Sequence, residues 1–172
     1  MKRCFAASEW HRFGPSQPRF KIEHDEKMVR SAPISLPGHS IAVAIKGRYD
    51  SIVLFENGQR AVCDFKTAPV KPEFLDKYGT QLHAYAYALE NPAPTSLQPG
   101  KIHRLGLAVF EPRSFAYDGY DCAQLSGEMR WLEVPRNDTA FFCFIDEVMT
   151  LLESPMPKPS AHCSYCKYRM VS

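Results

Sequence analysis

Two short stretches of the sequence place carboxylates and a lysine where catalysis at a metal ion would need them. Residues 46–50 read KGRYD and end at Asp50, and residues 63–67 read CDFKT and contain Asp64 and Lys66. Two residues apart on a predicted strand, Asp64 and Lys66 project from one face. Carboxylate oxygens hold Mg²⁺, which lowers the pKa of a bound water, and an ammonium group stabilises developing charge. These residue types therefore predict metal-assisted hydrolysis of phosphodiester bonds.

Whether Asp50 reaches the same face depends on the turn between the two strands. A two-residue loop would place Asp50 opposite Phe65, and its carboxylate would point away from Asp64. A three-residue loop at residues 56–58 would place Asp50 opposite Asp64, with Gly58 in the left-handed final position. A bulge within the hairpin would serve equally. The proposed chemistry therefore predicts the geometry of this turn.

A predicted helix follows and carries two more polar side chains on one side. Apolar residues recur at three- and four-residue intervals from Glu73 to Glu90, which predicts a helix over that range. Gln81 and Tyr85 are four residues apart and so share one side of it. Tyr78 extends the same stripe.

The remaining elements predict one α/β domain. The predicted elements are a helix at 1–13, strands at 27–36, 41–55 and 60–67, the helix at 73–90, strands at 102–110 and 129–134, and a helix at 137–153. This order predicts a mixed β-sheet flanked by helices in a single domain over residues 1–172, with a cysteine-containing tail at about 155–172.

Three motifs in order give the chain a resemblance to a known family. G-x-x-D at residues 47–50, D-x-K at 64–66 and Q-x-x-x-Y at 81–85 resemble the RecB-like branch of the PD-(D/E)XK nucleases. That branch includes the exonucleases of CRISPR adaptation. The resemblance implies a restriction-endonuclease-like core, DNA as the partner, and cleavage that depends on Mg²⁺ or Mn²⁺.

The resemblance also implies a role for each motif residue. It makes Asp50 and Asp64 metal ligands together with the main-chain carbonyl of Phe65, and it makes Lys66 the catalytic lysine. Gln81 and Tyr85 would support the active site and the DNA strand. Many members have a further metal-binding histidine in an N-terminal helix. His24 is the candidate here, and His11 also precedes Asp50.

The C-terminal cysteines form a second candidate metal site. Cys163 and Cys166 have the C-x-x-C spacing that brings two thiolates within reach of one metal. The chain resembles the iron–sulfur members of the family at Cys4, Cys163 and Cys166, while Ser172 falls on the fourth cysteine position. An iron–sulfur cluster, a zinc site that includes His162, and two free thiols are the alternatives.

Composition leaves these readings open. The 172 residues are 45% hydrophobic and 23% charged, a normal globular balance, and the net charge of +2 neither supports nor excludes a DNA partner. No run of 18 apolar residues is present, and residues 1–5 are not followed by the apolar stretch of a secretory signal. We therefore expect a cytoplasmic protein that does not enter membranes.

Three functions compete on this sequence. The first is an active DNA nuclease, with an exonuclease as the more specific expectation, acting in DNA processing, repair or defence. The second is a catalytically weak DNA-binding or assembly module that retains the nuclease fold. The third, a metal-binding interaction domain built around Cys163 and Cys166, would leave the hairpin motifs unexplained. Protein partners and strand polarity are not predicted.

Overall fold

The computed structural model describes residues 9–13, 19–71, 73–117, 119, 123–156, 158–160 and 162–170. Its elements in chain order are β1 (Phe20–Asp25), β2 (Met28–Arg30), β3 (Lys46–Arg48), β4 (Ser51–Phe55), β5 (Arg60–Thr67), α1 (Phe74–Glu90), β6 (Arg104–Tyr117), β7 (Ala123–Val134), α2 (Asp138–Glu153) and α3 (Ser164–Met170). In this described part of the chain, no helix has the length and apolar character needed to cross a membrane.

Five strands form one mixed sheet in the order β1-β4-β5-β6-β7. β5 and β6 are parallel, and the other neighbours are antiparallel. The parallel pair requires a crossover, which α1 provides. β2 and β3 form a separate two-stranded sheet. The predicted mixed sheet with flanking helices is confirmed.

Helix α1 covers one face of the sheet, here called the α1 face. Leu82, Ala86 and Leu89 of α1 belong to the same buried cluster as Ile52 of β4 and Leu107 of β6. Fully burying a leucine or isoleucine side chain contributes about 1.5–3 kcal/mol. This packing fixes the side of α1 that carries Tyr78 and Tyr85, because both are partly buried against the same cluster.

The opposite face of the sheet carries an aromatic cluster. Phe13 stacks on Phe20 with ring centroids 4.1 Å apart, and Phe55 meets Trp131 edge to face at 5.6 Å. Gly106 makes room for Trp131, since a Cβ at that position would lie 2.1 Å from the indole ring. The two faces together bury the central strands on both sides.

Helix α2 packs beside α1. Its buried residues Phe141, Ile145 and Met149 form a third apolar cluster with Ile34. The side chain of Asn137 caps the helix by accepting a hydrogen bond of 2.9 Å from the Ala140 N–H. This arrangement connects the segment before β3 to the C-terminal half of the chain.

Several sequence predictions are wrong in their extent. Residues 9–13 are not helical, because His11 forms an isolated antiparallel bridge with Phe20 at the start of β1, while residues 1–8 lie outside the described residues. β1 and α3 were not predicted, and residues 41–45 are not a strand. β1 is an edge strand that contains only two apolar residues, so its alternation is short. β6 and β7 both extend beyond their predicted strands because they pair as one long hairpin.

Candidate active site

The turn between β4 and β5 has the predicted three-residue geometry. Phe55 N–H donates to Gln59 O at 2.9 Å, and Gly58 has a φ of 79°. The ladder pairs Ser51 with Cys63 and Ile52 with Val62, the register that follows from this turn. Continued by one residue, that register sets position 50 opposite position 64.

Asp50 lies at the start of β4 and reaches across to β5. Its Oδ2 accepts a hydrogen bond of 3.0 Å from the main-chain N–H of Phe65. Its main-chain carbonyl accepts another, of 2.9 Å, from Glu26 N–H, where the chain leaves β1 with a positive φ. These two bonds hold the Asp50 carboxylate beside the Asp64–Lys66 segment.

Asp64 and Lys66 form an ion pair on the α1 face of β5. Asp64 is only 5% exposed, and both residues pair with apolar positions of β6, Leu107 and Val109. A buried carboxylate is costly unless it is paired, so the lysine is the partner that makes this position tolerable in the absence of another cation. The lysine side chain is 25% exposed, which leaves the site open to solvent on one side.

Tyr78 of α1 is a neighbour of the lysine that sequence reasoning left without a role. The Nζ atom of Lys66 lies 4.4 Å from the centroid of the Tyr78 ring. The ring itself meets Phe74 edge to face at 5.7 Å. An ammonium over an aromatic face is attracted to the ring electrons, so Tyr78 helps to hold the Lys66 ammonium in place. The sequence feature that could have indicated Tyr78 is its position on the same side of the helix as Gln81 and Tyr85.

The helix motif contacts the hairpin motif directly. Gln81 Nε2 donates to the hydroxyl oxygen of Tyr85 at 3.1 Å. A Cβ at Gly47 would lie 2.7 Å from Cε1 of the same tyrosine. Gly47 is therefore required because the Tyr85 ring lies against the backbone of β3.

Tyr49, between Gly47 and Asp50, is fully buried. Among the described residues its hydroxyl has no hydrogen-bond partner. Burial, with a smaller contribution from the charge of Asp25, raises the pKa of Tyr49 to about 12. The phenol therefore stays protonated, and it is a second residue of the motif segment that sequence reasoning did not single out.

His24 lies on β1, and the predicted N-terminal helix around such a histidine is absent from residues 9–13 and 19–25. The ladder sets His24 opposite Ile52 and so on the α1 face, after an irregularity at Glu23. Burial lowers the pKa of His24, with Glu23 opposing and Lys27 reinforcing that shift. The ring is therefore neutral at neutral pH, the form that can bind a metal.

The donors at this site suit a hard divalent cation. Two carboxylates and a main-chain carbonyl are oxygen ligands, and Mg²⁺ is usually held by one or two carboxylates with water and substrate oxygens completing its shell. Within the described residues, no group of three His, Cys, Asp or Glu side chains is arranged to hold a metal ion. The fit is therefore to a site with two side-chain ligands, Asp50 and Asp64.

The cysteine pair lies at the beginning of α3. Cys163 Sγ accepts a hydrogen bond of 3.4 Å from Cys166 N–H. This N–H and the Cys166 side chain lower the pKa of Cys163. Cys4 lies outside the described residues, so the predicted three-cysteine ligand set stays a prediction.

The chain matches one family model and resembles a solved structure. The family model of the PD-(D/E)XK nuclease superfamily matches residues 3–171. No curated protein matches the chain. Among solved structures, the crystal structure of SSO0001 is 18% identical, with a TM-score of 0.45, and the match covers 89% of this chain. This chain spans 60% of the length of that one.

Proposed function

Because the chain belongs to the PD-(D/E)XK nuclease superfamily, with a restriction-endonuclease-like α/β core, we propose that it is a metal-dependent deoxyribonuclease. The observation that carries this proposal is the bond from Phe65 N–H to Asp50 Oδ2, 3.0 Å long. It joins the carboxylate of one motif to the strand that carries Asp64 and Lys66. We assign the catalytic centre to these three charged residues.

Asp50 and Asp64 would hold Mg²⁺ or Mn²⁺, with the carbonyl of Phe65 as a third oxygen ligand. When bound, the cation polarises the scissile phosphate and supplies a water of lowered pKa. Asp50 is oriented for this role by its bond to β5, and Asp64 by its burial at 5% exposure. We retain His24 as a proposed accessory ligand, since it shares the α1 face with both carboxylates.

Lys66 would orient the attacking water and stabilise the negative charge that develops on the phosphate. The same ammonium pairs with Asp64 and lies over the Tyr78 ring. Two contacts from different elements fix its position. Such preorganisation lets a charged group act without reorganising during the reaction.

Gln81 and Tyr85 would support the site from α1. Their mutual hydrogen bond and the packing of Tyr85 on Gly47 link the helix to the segment that ends at Asp50. We propose that they hold this segment in place and contact the DNA strand. The motif order supports a RecB-like enzyme with exonuclease action on DNA ends.

Two substitutions test the catalytic assignment. Asp64→Asn preserves shape but removes a metal-binding charge, and Lys66→Ala removes the ammonium. Each should lower metal-dependent DNA cleavage by at least about 100-fold, the scale seen when one preorganised electrostatic group is lost. The assay compares single-stranded, linear double-stranded and circular DNA with Mg²⁺, Mn²⁺ or EDTA. Cleavage of linear but not circular DNA would identify an exonuclease.

Asp76→Asn and Lys101→Ala are matched controls, because both residues are exposed and lie outside the assigned centre. They should retain cleavage, and all four variants should keep the circular-dichroism spectrum of the folded protein. Undiminished cleavage by either active-site variant would refute its role. DNA binding by the wild type without any metal-dependent cleavage would favour the alternative of a DNA-binding or assembly module.

A further inference from the structure

The small sheet of β2 and β3 carries an exposed row of cations. Its ladder pairs Met28 with Arg48 and Arg30 with Lys46. Because directly opposite residues share a face, these four side chains lie on one side of the sheet. All four are exposed, as is Lys27 immediately before β2. We call Lys27, Arg30, Lys46 and Arg48 the basic ribbon.

The other side of the same sheet packs against the core and against α1. Val29 alternates with the exposed residues of β2 and is 1% exposed in the core beneath α1. Gly47 alternates with those of β3 and lies against the Tyr85 ring. Packing therefore fixes the orientation of the sheet and holds Arg30, Lys46 and Arg48 outwards.

None of the four cations of the basic ribbon forms an ion pair with any residue that the structure describes. Several arginines elsewhere are paired with carboxylates: Arg60 with Glu23, Arg104 with Glu133 and Arg136 with Glu90. A paired arginine must give up its carboxylate to bind an anion, whereas an unpaired one attracts it directly. The basic ribbon thus has a local excess of positive charge, although the net charge of the chain is small.

A groove of about 480 Å³ runs along this surface. Its lining includes Lys27, Arg30 and Lys46 together with the residues Thr95 and Ser96, whose hydroxyl groups can donate hydrogen bonds. The described lining contains no carboxylate. Cations and hydroxyls are the groups with which proteins contact phosphate oxygens of DNA.

We propose that the basic ribbon binds the sugar–phosphate backbone of DNA and leads the strand to the catalytic centre. Arg48 is two residues before Asp50 in the chain, so the row of cations ends next to the first catalytic carboxylate. The proposal deepens the proposed function by naming the surface that holds the substrate. Contacts of this kind position DNA without reading its sequence.

Salt dependence of binding tests the proposal without any cleavage. The double variant Arg30→Gln and Lys46→Gln removes two charges but keeps polar side chains. Fluorescence anisotropy with labelled single- and double-stranded DNA, in EDTA, gives the affinity from low to moderate salt. The slope of log K against log salt should fall in magnitude by about 1.4 on single strands and about 1.8 on duplex, because each phosphate contact contributes about 0.7 or 0.9.

The matched control is the double variant Lys101→Gln and Lys158→Gln. Both lysines are exposed and lie outside the basic ribbon, and the loss of net charge is the same. This control should keep the wild-type slope. Melting temperatures of both double variants should equal that of the wild type, since no described partner is lost.

Each outcome decides the proposal. Equal losses in the two double variants would show a general charge effect and overturn it, as would an unchanged slope in the ribbon variant. Displacement of DNA by polyglutamate at an equal concentration of charge would also overturn it, in favour of an acidic protein partner. DNA binding with the expected slopes by a protein that never cleaves would refute the proposed function and leave the basic ribbon supported.

Discussion

Tyr78 and Asp64 hold one ammonium group from two sides. The Tyr78 ring contacts Lys66 at 4.4 Å and Lys77 at 5.3 Å, and of these two lysines Lys66 also pairs with Asp64, a proposed metal ligand. A divalent cation on Asp64 would compete with Lys66 for that carboxylate. The aromatic face would then keep the ammonium in the site, because a ring attracts a cation without offering an anionic ligand.

Substitutions of Tyr78 should show whether its ring or its hydroxyl group contributes to cleavage. Tyr78→Leu should lower kcat for metal-dependent cleavage about 10-fold, given that a cation–π contact contributes about 1–2 kcal/mol when it is partly desolvated. Tyr78→Phe should keep the wild-type kcat, since the ring remains. Lys77→Ala should also keep it. Equal rates for Tyr78→Leu and Tyr78→Phe would contradict a role of the ring.

Alanine in place of Gly47 and alanine in place of Gly79 should have opposite effects on the melting temperature. Gly47→Ala would bring a Cβ to 2.7 Å from the Tyr85 ring, so the ring or β3 must move. Gly79→Ala would add a Cβ at 3.7 Å from Val134, an ordinary contact, inside α1. We expect the melting temperature to fall for Gly47→Ala. It should rise for Gly79→Ala, because helix propensity favours alanine over glycine by about 1 kcal/mol.

Activity separates these two variants further. Gly47→Ala should also reduce DNA cleavage, because the segment 47–50 positions the carboxylate of Asp50, which we propose as a metal ligand. Gly79→Ala should leave cleavage unchanged. A Gly47→Ala protein with wild-type melting and cleavage would show that Tyr85 is not constrained by this contact.

At the scale of elements, an ionic clamp fastens the loop before β3 to the end of α2. The ring of His39 contacts Glu153 at 2.7 Å and Asp146 at 2.9 Å, and Glu153 also accepts hydrogen bonds from the backbone and hydroxyl of Ser40. The bond to Glu153, then that to Asp146, raises the pKa of His39. The bond from His39, followed by those from Ser40, lowers the pKa of Glu153 to about 2.

The clamp predicts a window of pH for its stabilising effect. The contribution of His39 is complete below its ordinary pKa of 6.5 and is lost as the pH rises through its raised value. The contribution of Glu153 is complete above its ordinary 4.5 and is lost as the pH falls towards 2. The melting temperature of the wild type should therefore exceed that of His39→Asn most between about pH 4.5 and 6.5. A difference that does not vary with pH would contradict the clamp.

At the scale of the whole molecule, charge is distributed unevenly. Ion pairs neutralise several arginines around the main sheet, while the cations of the basic ribbon, beside the segment that leads to Asp50, pair with no carboxylate in the described part of the chain. The net charge of +2 for the whole chain therefore differs from the local charge of the main sheet and of the basic ribbon. The distribution, which requires the fold, is what gives the chain a surface suited to a polyanion.

The cysteine pair predicts a link between metal and stability. Cys163 and Cys166 have the C-x-x-C spacing with which two thiolates can bind one metal. A third thiolate from Cys4 would tie the chain ends together, so that metal binding would contribute to folding. Anaerobically purified protein should then contain about one zinc ion or iron–sulfur cluster per chain. Cys163→Ser should lower both metal content and melting temperature, whereas Cys143→Ser, at an exposed position of α2, should lower neither. Metal-free wild-type protein with the melting temperature of Cys163→Ser would show that the pair binds no metal.

The sequence determined the parts of this protein that depend on neighbours along the chain. Gly58 supplies the left-handed position that a three-residue turn needs, although the sequence also allowed a two-residue loop. The structure has the three-residue turn, and its register sets position 50 opposite position 64. Helical periodicity likewise located α1 and α2 to within one residue at their first positions. Side-chain periodicity is a local property, so a single sequence contains enough information to predict these helices.

Only the tertiary structure decided which distant groups meet. Three contacts join segments that are separated by loops or by a turn of helix. They are the Tyr78 ring over Lys66, the Tyr85 ring against Gly47, and the pairing of β1 with β4. The outward face of the basic ribbon follows from the burial of Val29 beneath α1, which the composition of β2 alone does not specify. These contacts depend on how α1 packs across the sheet, and packing is selected by the summed burial of many side chains rather than by any local pattern.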